Sequence, residues 1–295
     1  MALPVTMVYL AGYALLMAAM GHAWWLQMGI VLLATVMMAE LNNVNALIRV
    51  YSRMVSCSFL VMTAMASFML ATPDSPALQL TFIAFLLCVL HAYQDGRATG
   101  WVFYAFCAVG LGSLVCVQVL YFVPLLWVLL GTNVLALSLR TFLASVFGVA
   151  APYWFVAACC LFTGRLPWLW EHFGGLASPG EAFDLSVLSL PQAITFIFVA
   201  LLAAIGSVHF LMYSYKDKIR TRMVYEMFIT LEVCTLAAAL VLPHLFNAML
   251  ALAITVTAPV IGHYMALSCS KVSNIMFFVI VALSLALTFF NLWTL

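Results

Sequence analysis

The sequence predicts an all-α fold: a polytopic transmembrane helical bundle of about eleven spans, with its N-terminus inside and its C-terminus outside. Three observations predict it. Of 295 residues, 67% are hydrophobic and only 6% are charged, where a soluble domain carries roughly a quarter. The apolar residues fall in runs long enough to cross hydrocarbon. The basic residues sort to one set of the loops between those runs. Ten basic and nine acidic side chains cannot clothe a soluble fold of this length, so the bilayer is the main solvent. A net charge of +1 gives no electrostatic case for a nucleic-acid or other polyanionic partner.

A span needs about 20 mostly apolar residues. By that ruler the expected spans are 4–21, 23–39, 55–72, 77–93, 99–114, 116–131, 141–163, 191–213, 223–242, 244–267 and 272–293. The segment from Met1 to Met20 has no basic flank and no small-residue cleavage site, so it reads as a retained first span. The stretch 99–131 is too long for one crossing, and Gly110, Gly112 and Ser113 offer a turn within it. With eleven alternating spans, nine of the ten basic residues fall in the inner loops, and Arg165 alone falls outside. That split is the positive-inside bias, and a miscounted span would scramble it. The segment 164–190, with Trp168, Trp170 and His172, is the one long external loop or short interfacial helix. No linker, low-complexity segment or internal repeat divides the chain, so residues 1–295 read as one integral membrane domain. The inverted repeats of many secondary transporters are missing.

Ionisable groups inside hydrocarbon cost several kcal/mol unless paired or hydrated, which makes them the best pointers to function. Glu232 lies about ten residues into its span, near mid-depth. Glu226 lies about 120° away around the same helix, and an i,i+4 pair with Arg222 accounts for it. His91, His209 and His263 each lie near the inner end of a span. These four, Glu232, His209, His263 and His91, are the candidates for chemistry. The segment 40–54 reads as a cytoplasmic amphipathic helix, with Leu41, Val44 and Ile48 on one side and Asn42, Asn45, Arg49 and Arg53 on the other. Arg49, Arg140, Asn42 and Asn45 are therefore the candidate ligands of an anionic head group. No HxxH or HExxH pair and no CxxC occurs, so neither a metal site nor a cofactor is expected, and the eight cysteines read as small packing residues. Pro124, Pro152 and Pro259 fall inside spans, where each frees a carbonyl that a neighbour must satisfy.

The run from His91 to Phe155 contains HAYQDGRATGWVFYAF, GLGSL, LYFVPLLW and LSLRTFLASVFGVAAPYW. It resembles an uncharacterised family of polytopic bacterial inner-membrane proteins, some of whose members bear a carotene monooxygenase label. The resemblance implies a multi-pass protein of the bacterial inner membrane in a cell-envelope context, and it brings no catalytic residues with it. The label itself implies iron held by several histidines. Here His22 lies at the opposite face from His91, His209 and His263, so the four would have to meet across most of the bilayer. A polyprenyl-sugar glycosyltransferase would place an acid in the first external loop, where this chain has Gly21 and His22.

Three readings follow. The first is an accessory or subunit in cell-envelope biogenesis with no chemistry of its own, which implies a membrane-protein partner. The second is an enzyme or carrier for an anionic lipid or lipid-linked substrate, with a cytoplasm-facing site. The third is a proton-coupled transporter using Glu232. All three share the lipid bilayer as partner, with anionic phospholipid at the cytoplasmic face.

Overall fold

A computed structural model of the chain describes residues 25–177, 183, 185–268 and 271–294. Eleven α-helices run through them, and no strand occurs among the described residues. In chain order they are α1 Trp25–Asn45, α2 Met54–Met65, α3 Asp74–His91, α4 Thr99–Val115, α5 Val123–Thr132 and α6 Leu139–Thr163. Then follow α7 Leu166–Ala177, α8 Leu190–Tyr213, α9 Ile219–Val241, α10 Phe246–Leu267 and α11 Lys271–Trp293. Seven helical segments are long and apolar enough to cross a membrane, and they contain α1, α3, α6, α8, α9, α10 and α11. The expected spans 55–72, 99–114 and 116–131 correspond to shorter apolar helices. The expected span 4–21 and His22 lie outside the described residues.

The breaks have local causes. The expected span 55–72 stops being α-helical at Ala66 (φ −85°, ψ 54°) and continues as a 3-10 turn over Ser67–Ala71. The stretch 99–131 does divide, at Cys116 (φ −138°, ψ 101°). The expected turn residues Gly110, Gly112 and Ser113 lie instead inside α4. Pro124 sits in the first turn of α5, where no i−4 carbonyl is lost, whereas Pro152 and Pro259 do lie inside α6 and α10. The expected amphipathic helix over 40–54 is not a separate element. Its first half completes α1, Ala46 turns the chain at φ 46°, and irregular backbone follows to α2. Asn42 and Asn45 are buried there, so they do not share an exposed polar face with Arg49 and Arg53.

The described residues form two compact units, one within 1–76 with 184–295 and one within 77–183. In the first unit α10 is the central helix. Every residue from Met249 to His263 is buried, as expected of a helix that is apolar all round. It packs on α2, α8 and α9. Lipid is as apolar as leucine, so burial alone does not drive such packing; close backbone approach and interhelical hydrogen bonds do. A Cβ on Gly262 of α10 would meet the backbone of α2, 3.1 Å from Val55 Cα. Asn291 of α11 donates to Met65 O (2.8 Å), at the frayed end of α2, and to Thr195 Oγ1 of α8 (2.9 Å).

In the second unit the close pair is α4 and α6. A Cβ on Gly148 would lie 2.6 Å from Phe103 O, and one on Gly110 would lie 2.7 Å from Val149 O. Ser138 and Thr141 cap the start of α6 reciprocally, and Gly164 ends it at φ 69°. The expected external segment contains α7, none of whose side chains is buried. His172 of α7 donates from Nε2 to Ser113 O (3.0 Å), and Gln118 and Tyr121 donate to Gly175 O (3.2 Å) and Leu176 O (2.6 Å).

Candidate functional site

The first unit holds a cavity of about 370 Å³ lined by Arg49, His209, Tyr213, Lys216, Asp217, His263, Leu267 and Ser268. They come from α8, which carries His209 and Tyr213, from α10, which carries His263, and from three chain connections or their edges. Arg49 lies between α1 and α2, Lys216 and Asp217 lie between α8 and α9, and Leu267 and Ser268 close α10. The turn at Ala46 places Arg49 here. Asn42 Nδ2 fixes that turn by donating to Ser52 O (2.8 Å). Asn45 Nδ2 donates to Leu41 O (3.0 Å), while its Oδ1 accepts from Arg220 at 2.9 Å. Both asparagines thus hold the loop rather than face the cavity.

The floor is an aromatic and imidazole layer. His263 is 2% exposed, and its Nε2 donates to Asp217 Oδ2 at 3.1 Å. The rings of Tyr225 and Phe210 pack edge-on against it at 4.7 and 5.4 Å. Because a carboxylate oxygen only accepts, Nε2 carries the hydrogen. His263 Nδ1 is buried with no partner, and so is Nδ1 of His209, whose ring centroid lies 6.4 Å away. Two cations belong to the wall. Arg49 is exposed, and Lys216 Nζ lies over the rings of Tyr213 and Tyr215 at 4.9 and 5.5 Å.

The basic residues of this unit share that end. Arg49 and Arg53, Lys216, Lys218, Arg220 and Arg222, and Lys271 all fall in or beside the three connections. Arg222 Nε is buried without a partner, and the expected pair with Glu226 is not made; the ion pair among the described residues is His263 with Asp217. Glu226 is exposed. No group of three His, Cys, Asp or Glu side chains among the described residues is placed to hold a metal.

Of the residues singled out in the sequence, His209, His263 and Arg49 meet at the cavity. Glu232 belongs to the same unit, 2% exposed in the interior of α9, and accepts from Ser207 Oγ at 3.4 Å. His91 and Arg140 belong to the second unit and do not line this cavity. His91 is exposed, donates from Nδ1 to Leu87 O (2.6 Å) and stacks on Trp101 at 4.4 Å. Asp217 was not expected. Its signal is an acid between two lysines, Lys216-Asp217-Lys218, which reads as part of a solvated cationic loop until His263 is seen against it.

No family model, curated protein or solved structure matches the chain. The site must therefore be read from its own chemistry: two cations over a buried His–Asp pair, in a cavity large enough for a phosphate-sized group and part of its carrier.

Proposed function

We propose that this chain is a multi-pass membrane protein that binds the anionic head group of a lipid or lipid-linked substrate in the cavity, as a carrier or enzyme for it. The observation that carries the reading is the cavity itself, where Arg49 and Lys216 overlook the His263–Asp217 pair. Cations that contact a phosphate or carboxylate form charge-assisted bonds about twice as strong as neutral ones. An amphiphile suits the site better than a free ion. Val208, Leu211 and Met212 are exposed on α8, and Tyr215 in the 3-10 turn after it, in the same stretch of chain as His209, Tyr213 and Lys216, so a head group in the cavity has apolar side chains nearby for its tail.

The basic residues at this end support a cytoplasm-facing cavity, in an N-inside, C-outside arrangement of about eleven spans. The resemblance of the His91–Phe155 run supports the bacterial inner membrane and a part in cell-envelope biogenesis. Native mass spectrometry of the full chain tests the reading. Wild type retains phosphatidylglycerol, and the R49A/K216A double variant loses it, with affinity weakened about 10- to 100-fold. Equal retention by both would remove the cavity from the argument and return the chain to the accessory-subunit reading.

A further inference from the structure

Glu232 has no place in head-group binding, yet it lies in the same bundle as the cavity. It is seven residues beyond Tyr225 on α9, about 10 Å at 1.5 Å per residue, and the Tyr225 ring lies against His263. Its hydrogen bond from Ser207 comes from α8, two residues before His209 of the cavity wall. Between the two levels lie the fully buried rings of Phe210 and Tyr225, stacked at 4.8 Å. The elements packed against α9 bring few other titratable groups toward it. They are His209 and Tyr213 on α8, His263 and Tyr264 on α10, and His244 in the 3-10 turn before α10; α9 itself adds Arg220, Arg222, Tyr225, Glu226 and Cys234, with Asp217 just ahead of it. None forms an ion pair with Glu232. Two of these groups, His209 and His263, present a buried Nδ1 with no partner, on the cavity side of the aromatic layer.

We propose that Glu232 is a proton site coupled to the anion site, so that the chain takes up a proton at Glu232 when an anionic head group enters the cavity. This rests on the reading of the cavity given above. Only the proton moves: it leaves the solvent for the carboxylate as the anion binds, and returns to the solvent when the anion leaves. The coupling is electrostatic. An anion and a carboxylate repel, so each anion bound favours the carboxylic acid, and by reciprocity each proton bound favours the anion. With that rise of about 10 Å along α9 taken as the separation and an effective dielectric of about 20, the mutual effect is at most about tenfold in affinity.

The test is calorimetric titration of short-chain phosphatidylglycerol, a diester that does not itself titrate in this range, into the full chain in neutral detergent. Buffers of different ionisation enthalpy, between about pH 6 and 9, report the protons exchanged. Wild type is expected to take up at most about half a proton per lipid, the limit for a tenfold coupling, with affinity rising about tenfold toward low pH. E232Q is expected to bind the lipid and to lose the uptake and the pH dependence above about pH 7.5, where the cavity histidines are neutral. S207A, a milder change, moves the pH of half-maximal uptake. Lipid binding without proton uptake in wild type, or the same uptake in E232Q, overturns the proposal and leaves the cavity reading standing. Absence of lipid binding in wild type overturns both.

Discussion

The two units treat polar groups inside an apolar bundle in opposite ways. In the unit 77–183 each polar side chain of the α4–α6–α7 contact is spent on the fold. Tyr153 O–H donates to Ser113 Oγ at 2.7 Å, Ser113 Oγ donates to Gly110 O at 2.7 Å, and His172 Nε2 donates to Ser113 O. Trp127 likewise donates to Ser145 Oγ at 2.9 Å. In the other unit, the groups around the cavity are left over. Nδ1 of His209 and Nδ1 of His263 are buried without partners. Each such atom costs about 1–3 kcal/mol if nothing ever meets it. Around α4, α6 and α7 polarity serves as glue, whereas at the cavity two imidazole nitrogens stay where a ligand and its protons would satisfy them.

That contrast can be broken at several points. The largest effect is expected at Gly148. Leucine there would drive a side chain into Phe103 O and separate α4 from α6, at a cost of about 3 kcal/mol. Denaturant titration in detergent would show it, as would protease cleavage within 77–183. Next comes Asp217→Ala, which strands the buried Nε2–H of His263. It is expected to cost about 2 kcal/mol of stability, while the loss of a carboxylate from the cavity wall strengthens phosphatidylglycerol binding. Phosphatidylglycerol stabilises wild type by mass action, so the thermal shift given by the lipid should grow in the same variant. Tyr153→Phe should have the smallest effect, about 1 kcal/mol for one hydrogen bond, with lipid affinity unchanged. A Tyr153→Phe variant that lost lipid binding would erase the distinction between the units.

The long apolar helices were legible because hydrocarbon imposes a length and a composition on any helix that crosses it. The expected spans 141–163, 191–213 and 272–293 meet α6, α8 and α11 within two residues at each end. What misled was glycine. Gly110 and Gly112 read as a turn, yet Gly110 is there because Val149 O approaches where a Cβ would stand. Hydropathy cannot distinguish a residue that bends a helix from one that lets another helix come close. The segment 40–54 failed for a related reason. Its three- and four-residue polar spacing is helical in α1, but the side chains of Asn42 and Asn45 turn inward to bond backbone. In the site, His209, His263 and Glu232 stood out because they interrupt apolar runs. His91 and Arg140 shared a predicted depth with them, and depth carries no information on lateral position around a bundle. Asp217 could not be read at all without the fold, because its meaning comes from a histidine 46 residues away.

The central claim is that the cavity of Arg49, Lys216, His209 and the His263–Asp217 pair selects an anionic head group. Its most direct test compares the affinity of the purified chain for short-chain phosphatidylglycerol and for the zwitterionic phosphatidylcholine of the same chain length. Wild type is predicted to prefer the anionic lipid by about tenfold or more, and R49A/K216A to bind both lipids alike. Equal affinity of wild type for the two lipids, or a preference that survives in R49A/K216A, would contradict it.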